Sequence, residues 1–567
     1  MDKKAIIRHL ETIATYMELR GDSAYRIAAY RKAANGIERD KRSVDEIEKW
    51  TALNGVGEKT TTVIEEFLQT GQTKLLTDLK KEVPVGLIPL LQLPGIGGKK
   101  LAKLHKELGI IDVQTLQRAC EEGKVQALDG FGVKTEENLL ASLKQAMGTR
   151  ERHPFAYARP IAEHILQKLR EFPAVQRAEV AGSFRRVQET VKDLDFIVET
   201  DEPEEVRDWI VNWEEIVGVI AKGTTKVSVR WMDEHELSID VRLAEPAVFA
   251  TTLHHFTGSK DHNVRMRQLA KQRGEKISEY GVTDDETNRV TTFSNEQAFY
   301  HHFHLPWFPP ELRETGEEID HSERIHDVIS IEDIRGDLHM HTAWSDGAHS
   351  IEEMIEACRR KEYEVMAITD HSRSLVIAGG LSIDNLLRQH EEIVKLRETY
   401  RDITILSGVE MDILADGALD YPDEVLRELD WVIGSIHSHF HQSKELITRR
   451  FQAACENPYV KMIAHPSGRK IGIRDGYHFD IENFLEIAHK TGTAVECNAN
   501  PNRFDLRSDW LQKAVSKGVP IVINTDAHNQ KELDNMTYGV SQAKKGWVPK
   551  TSVLNTWSVQ QILQLKT

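Results

Sequence analysis

The amino-acid sequence predicts a multidomain chain of mixed class: helical at its start, α+β in its middle and β/α over its last 235 or so residues. Three observations carry that prediction. A Gly-x-Gly element recurs three times before residue 150, an Asp-x-Asp sits inside an apolar strand near residue 194, and past residue 333 apolar strands alternate with helical stretches. At 567 residues the chain is too long for one core. Apolar residues make up 40 %, which argues against general disorder, and no run of 18 apolar residues offers a membrane span. Cys120, Cys358, Cys455 and Cys497 are far apart and form no Cys-x-x-Cys pair, which fits a reducing cytoplasm rather than a disulfide framework or zinc knuckle. The opening MDKKAIIRHLETIATYMELR lacks a signal-peptide core and reads as an amphipathic helix.

The net charge of −17 is uneven. Residues 1–150 carry 24 basic and 21 acidic side chains (+3), 151–320 carry 21 and 32 (−11), and 321–567 carry 28 and 37 (−9). Acidic clusters that hold divalent cations make a domain negative, so this balance does not exclude a nucleic-acid enzyme, and motifs must decide.

The first element is LNGVGEKT, LPGIGGKK and LDGFGVKT, at Leu53–Thr60, Leu93–Lys100 and Leu128–Thr135. Each pair of glycines (Gly55 and Gly57, Gly95 and Gly97, Gly130 and Gly132) permits a tight turn into a helix whose free N–H groups suit a phosphate. Lys59, Lys99 and Lys134 add charge at each copy. The pattern resembles the helix-hairpin-helix motif, which grips DNA through its backbone; three ordinary glycine-capped helical turns are the alternative. The preceding AYRIAAYRKAANGI is similar to a helix of the small lyase domain of DNA polymerase beta, a resemblance that makes Arg26, Arg31 and Lys59 a 5′-phosphate pocket, against the alternative of a solvated face.

In the middle, VAGSFRRVQETVKDLDFIVET places Gly182-Ser183 about ten residues before Asp193-x-Asp195. Strand alternation points both aspartates to one face, and Asp240 lies in a further strand, ELSIDVRL. Three such carboxylates can hold two Mg2+ ions roughly 3.5–4 Å apart for in-line phosphoryl transfer. The segment HFTGSKDHNVRMRQLAKQRGEKISEYGV then resembles the nucleotide-selecting part of family X DNA polymerases. That resemblance implies a nucleotidyltransferase palm and thumb, with Ser183 and Arg186 on the triphosphate, Phe256 and Gly258 beneath the sugar, Asn263 on the new base and Arg267 on the template. It usually carries Tyr where this chain has His255. Arg265 and Lys271 read as solvated, and His301, His302 and His304 as structural.

After an acidic linker, the strands DLHMHT, VMAITDH, ITILSGVEMDI, WVIGSIHSHF, KMIAHPS, TAVECNANP and PIVINTDAH argue for a parallel barrel, whose strand C-termini form the site. They resemble the polymerase and histidinol phosphatase (PHP) superfamily, a distorted β/α barrel. The resemblance implies His339, His341, Asp346, His371, Glu410, His437, His465, Asp526 and His528 as metal ligands for about three ions, Mn2+ or Zn2+, with iron a further choice. Asp370 and His439 are expected as partners of the ligands, and Arg373 and Arg503 as contacts for substrate phosphate.

The domains expected are 1–85 (5′-phosphate and DNA binding), 86–150 (fingers), 151–240 (palm), 241–315 (thumb), 316–332 (linker) and 333–567 (PHP). The combination implies a monomeric cytoplasmic enzyme that fills gapped or primed duplex DNA bearing a 5′-phosphate from dNTPs in base excision repair. The PHP domain would trim 3′ ends as a 3′→5′ exonuclease or phosphoesterase, with abasic-site processing in the same range. A template-independent nucleotidyltransferase with an attached phosphatase, or a DNA-binding scaffold, are the rivals.

Overall fold

The computed structural model describes residues 3–39, 44, 47, 49–92, 96–148, 152–233 and 235–566. The chain forms two compact units, Met1–Glu151 and Arg152–Thr567.

The first unit is all-helical: Lys3–Arg20, Ala24–Arg39, Glu58–Thr70, Lys74–Glu82, Gly98–Leu108, Val113–Glu121 and Val133–Gly148. Its amphipathic helices bury one shared apolar core that includes Ile13, Met17, Ile64, Leu101 and Leu116. Helices begin one residue after Gly57, Gly97 and Gly132, so each of the three repeated elements ends in a helix start. Gly55 and Gly130 have positive φ (89° and 86°), where a side chain would strain the turn. Gly95 lies outside the described residues.

The second unit opens with a five-stranded sheet, in spatial order Arg177–Val180, Asp193–Glu199, Glu236–Ala244, Lys226–Met232 and Ile216–Lys222. Asp193–Glu199 and Glu236–Ala244 run parallel, with Asp195 opposite Asp240. The expected palm boundary at 240 therefore cuts a strand; ladder pairing continues to Ala244 and carries the palm with it. Helices Phe249–Thr257, Lys260–Gln272 and Glu296–His302, with a small antiparallel sheet, build the thumb around Phe299, Tyr300 and Phe308. The expected linker is not a free tether: Glu317–Asp327 is wound in 3-10 turns, and Glu318 and Ile319 are buried against the thumb.

Seven parallel strands follow, neighbours in chain order from Gly336–Met340 to Ile521–Asn524. A parallel bridge from Met340 to Ala527 draws the last strand back to the first, which gives the nearly closed, distorted barrel. Palm and barrel share a core. Phe504 and Ile471, from two barrel loops, pack into the palm's apolar cluster, Phe504 with its ring 5.8 Å from that of Phe155. The Arg469 guanidinium donates two hydrogen bonds to the Glu189 carboxylate, at 2.7 and 3.1 Å.

Candidate active sites

Strand pairing brings the three palm carboxylates together. Burial, then the neighbouring Asp193 and Asp240, push the Asp195 carboxyl up to about 7. That is the signature of a site short of positive charge. The Lys226 ammonium lies 2.6 Å from Asp240 Oδ2 and supplies part of it. Gly182 has φ of 60°, and a Cβ there would collide with the Asp195 carboxylate, which accounts for glycine ahead of Ser183.

Beside these aspartates is a cavity of about 360 Å³, lined by Arg186, Asp195, Phe256, Gly258, Asn263 and Arg267 among others. Residues 186 to 267 meet because the turn after helix Phe249–Thr257 lies against the palm: Arg186 Nη1 donates to the Thr257 carbonyl at 2.5 Å. Asn263 Nδ2 donates to the His255 carbonyl, and the Arg242 guanidinium covers the Phe256 ring at 4.3 Å. Ser183 adjoins this wall without lining the cavity. Arg265 is tied to Asp320 at 2.5 Å, Lys271 is exposed, and His302 pairs with Glu275 at 2.7 Å.

At the barrel mouth all nine expected ligands converge. Three overlapping groups have ligand atoms within 4.8 Å of one another: His341, Asp346, His371 and His528; His339, His341, Glu410 and Asp526; and His371, Glu410 and His437. His465 Nε2 lies 2.8 Å from Glu410 Oε1 and joins the second and third. Among the described residues no other groups of this kind occur. His339 Nε2, His341 Nδ1, His371 Nδ1, Glu410 Oε2 and His465 Nδ1 are buried without a hydrogen-bond partner. Such orphaned atoms cost free energy unless something binds them; imidazole and carboxylate donors at this spacing fit divalent cations. The electrostatics agree. Burial opposes charging His437, but Glu410 and Asp412 outweigh it and raise its pKa to about 10.

The partners that orient these ligands differ from expectation. His339 Nδ1 is 2.7 Å from Glu496, and His437 Nδ1 is 3.0 Å from Asp412. Neither carboxylate was singled out in the sequence, although a glutamate inside the otherwise apolar strand AVECN is a visible signal. Asp370 is buried but binds Thr342, Ser345 and Gln389, holding the loop after the first strand instead of a ligand. His439 is exposed, without a contact to the cluster among the described residues. Arg373 is held by Asp420 and does not line the separate cavity that opens over the barrel's ligand cluster; Arg503 does, 3.6 Å from Asp526.

In the helical unit Lys59 is exposed. Arg31 is paired with Glu18, and Arg26 lies 3.6 Å from Asp22. The three residues expected to hold a 5′-phosphate are thus all exposed, with two of them partly neutralised.

Comparison with known proteins follows the same division. Residues 1–73 match a helix-hairpin-helix domain, 87–145 a SAM-like helix-hairpin-helix tandem, 252–314 the DNA polymerase beta thumb and 337–500 the PHP domain. The DNA polymerase/3′-5′ exonuclease PolX of Bacillus subtilis (strain 168) is 52 % identical over 562 residues, 99 % of each chain. A probable phosphatase of Caldanaerobacter subterraneus subsp. tengcongensis is 31 % identical over 41 % of this chain and 91 % of its own length. One of Acetivibrio thermocellus is 29 % identical over 39 % and 90 %. With thumb, hairpin and PHP domains in one chain and full-length identity to PolX, this protein belongs to the family X DNA polymerases that carry a C-terminal PHP domain.

Proposed function

We propose that this enzyme is a template-directed DNA polymerase that fills short gaps in base excision repair, and that its PHP barrel removes nucleotides or phosphate from 3′ ends. The observation that carries the reading is the single cavity that joins Asp195 to Arg186, Phe256, Asn263 and Arg267, residues from palm and thumb with nothing else in common. Arg186 suits a triphosphate, being a planar donor beside a carboxylate site. Asn263 and Arg267 are one helical turn apart and present polar edges to a base pair. Asp193, Asp195 and Asp240 would hold two Mg2+ ions, which supply charge neutralisation and an activated 3′-hydroxyl when bound.

In the barrel, the nine ligands would hold about three Mn2+ or Zn2+ ions, whose contribution is a hydroxide near neutral pH. Glu496 and Asp412 fix the ring orientation of His339 and His437 there. The same chemistry extends to abasic sites. The DNA ligand is a gapped or primed duplex with a 5′-phosphate, held through backbone contacts by the hairpins, and the working form is a cytoplasmic monomer. Extension of a primer across a one-nucleotide gap, with each template base in turn, tests the reading. Insertion that follows the template and is stimulated by a 5′-phosphate supports it. Insertion indifferent to the template would favour a template-independent transferase.

A further inference from the structure

Above the nine-ligand cluster lies a cavity of about 490 Å³, within the ~300–1,000 Å³ range of small-molecule sites. Its lining is divided in character. Lys470 and Arg503 supply cations; Arg503 is mostly buried, and Lys470 makes no ion pair among the described residues. The other character is apolar and unusually exposed: Ile377 is 89 % and Ile473 75 % accessible. Neither packs in a core, yet both sit on backbone that is tied down. Ile377 lies in the turn Val376–Ala378, closed by Ala378 and Gly380 N–H groups donating to the Leu375 carbonyl. Ile473 lies in a loop closed between Lys470 and Arg474, with the Arg474 guanidinium on the Gly468 carbonyl and Ile471 set into the palm core.

Hydrolysis of a phosphate ester at the ligand cluster needs cations and water, and two fixed, solvated isoleucines contribute nothing to it. They suit a flat, weakly hydrated group attached to the phosphate, such as a nucleobase, which enzymes hold between aromatic or apolar side chains. Building on the 3′-end reading above, we propose that Ile377 and Ile473 hold the base of the 3′-terminal nucleotide while Lys470 and Arg503 hold its phosphate. The site is thereby a nucleotide pocket that processes DNA ends carrying a base faster than the baseless ends and small phosphate monoesters that the same metal chemistry also reaches. In the step it serves, a water oxygen joins phosphorus, the bond from phosphorus to the penultimate O3′ breaks, and that oxygen leaves as a hydroxyl after taking up a proton.

The test compares the Ile377→Ser/Ile473→Ser double variant with wild type in the Mn2+-loaded full-length enzyme. Both side chains are exposed, so the substitution leaves the fold intact. Single-turnover rates are measured on one single-stranded oligonucleotide ending either in thymidine or in a tetrahydrofuran abasic residue. The expected result is that the ratio of the two rates falls about tenfold, the scale of two lost apolar contacts, and is restored in Ile377→Val/Ile473→Val. An unchanged ratio, whether both rates fall together or neither falls, overturns the proposal. Failure of the 3′-end reading itself is distinguishable: wild type would then leave both oligonucleotides intact while hydrolysing p-nitrophenyl phosphate.

Discussion

Val63 lies in the apolar core of the N-terminal helices, 7 % exposed, while Lys59 one turn earlier faces solvent. The lyase domain that this region resembles uses a lysine at the position of Val63, and Schiff-base chemistry needs an accessible amine. Lyase activity on a 5′-deoxyribose phosphate is therefore expected to be weak or absent, unless Lys59 supplies it. Borohydride trapping measures this, and efficient trapping that survives Lys59→Ala would show another nucleophile. At the other end of the chain Glu496 is fully buried and accepts from His339 Nδ1, the Asn524 and Asn498 amides and the His465 N–H. Losing its charge frees the His339 ring to turn. Glu496→Gln should lower metal affinity of the barrel about 10–100-fold, read by titration of the metal-stripped protein, with the palm activity unaffected. Glu496 stands out in its strand, but its role is not legible there, because its partner His339 is 157 residues away.

In the thumb, helix Glu296–His302 is fastened by its first residue. Glu296 is 5 % exposed and takes hydrogen bonds from Arg185 (2.7 and 3.1 Å) and from the fully buried Arg313 (2.6 Å). Burial alone would raise the carboxyl; the Arg313 and Arg185 charges outweigh it and hold it well below its ordinary 4.5. A depressed carboxyl contributes stability above its unfolded value and loses it as pH falls through that value toward the folded one. Glu296→Gln removes the charge partner of the fully buried Arg313 and the partly buried Arg185 and should cost about 3–5 kcal/mol at neutral pH. The gap between wild type and variant should narrow from about pH 5 to pH 3, followed by urea unfolding at each pH. A gap independent of pH would mean that the carboxylate's charge is not what fastens the helix. Elements of this kind mark the limit of the sequence: strand and helix periods are local, and so are the Gly-x-Gly turns and the Asp-x-Asp. That Arg185 turns to the thumb depends on Glu296, 111 residues on.

Across the whole molecule the two centres use different ligands on different sheets of one unit. Asp193→Ala or Asp195→Ala should abolish nucleotide addition and leave 3′-end degradation near wild type. His339→Ala with His341→Ala should do the converse, with bound metal measured alongside. Equal loss of both activities in a folded variant would refute separate centres. Their independence is chemical and not mechanical. Phe504 packs on Phe155, whose other contact is the stacked Phe184 ring of the palm, and it is next in sequence to Arg503 on the barrel's cavity wall. Ile471 likewise packs into the palm's apolar cluster, beside Lys470. A palm inherited without its barrel would carry an open wound where those two side chains had been, and a barrel without its palm would lose the anchor of its basic wall.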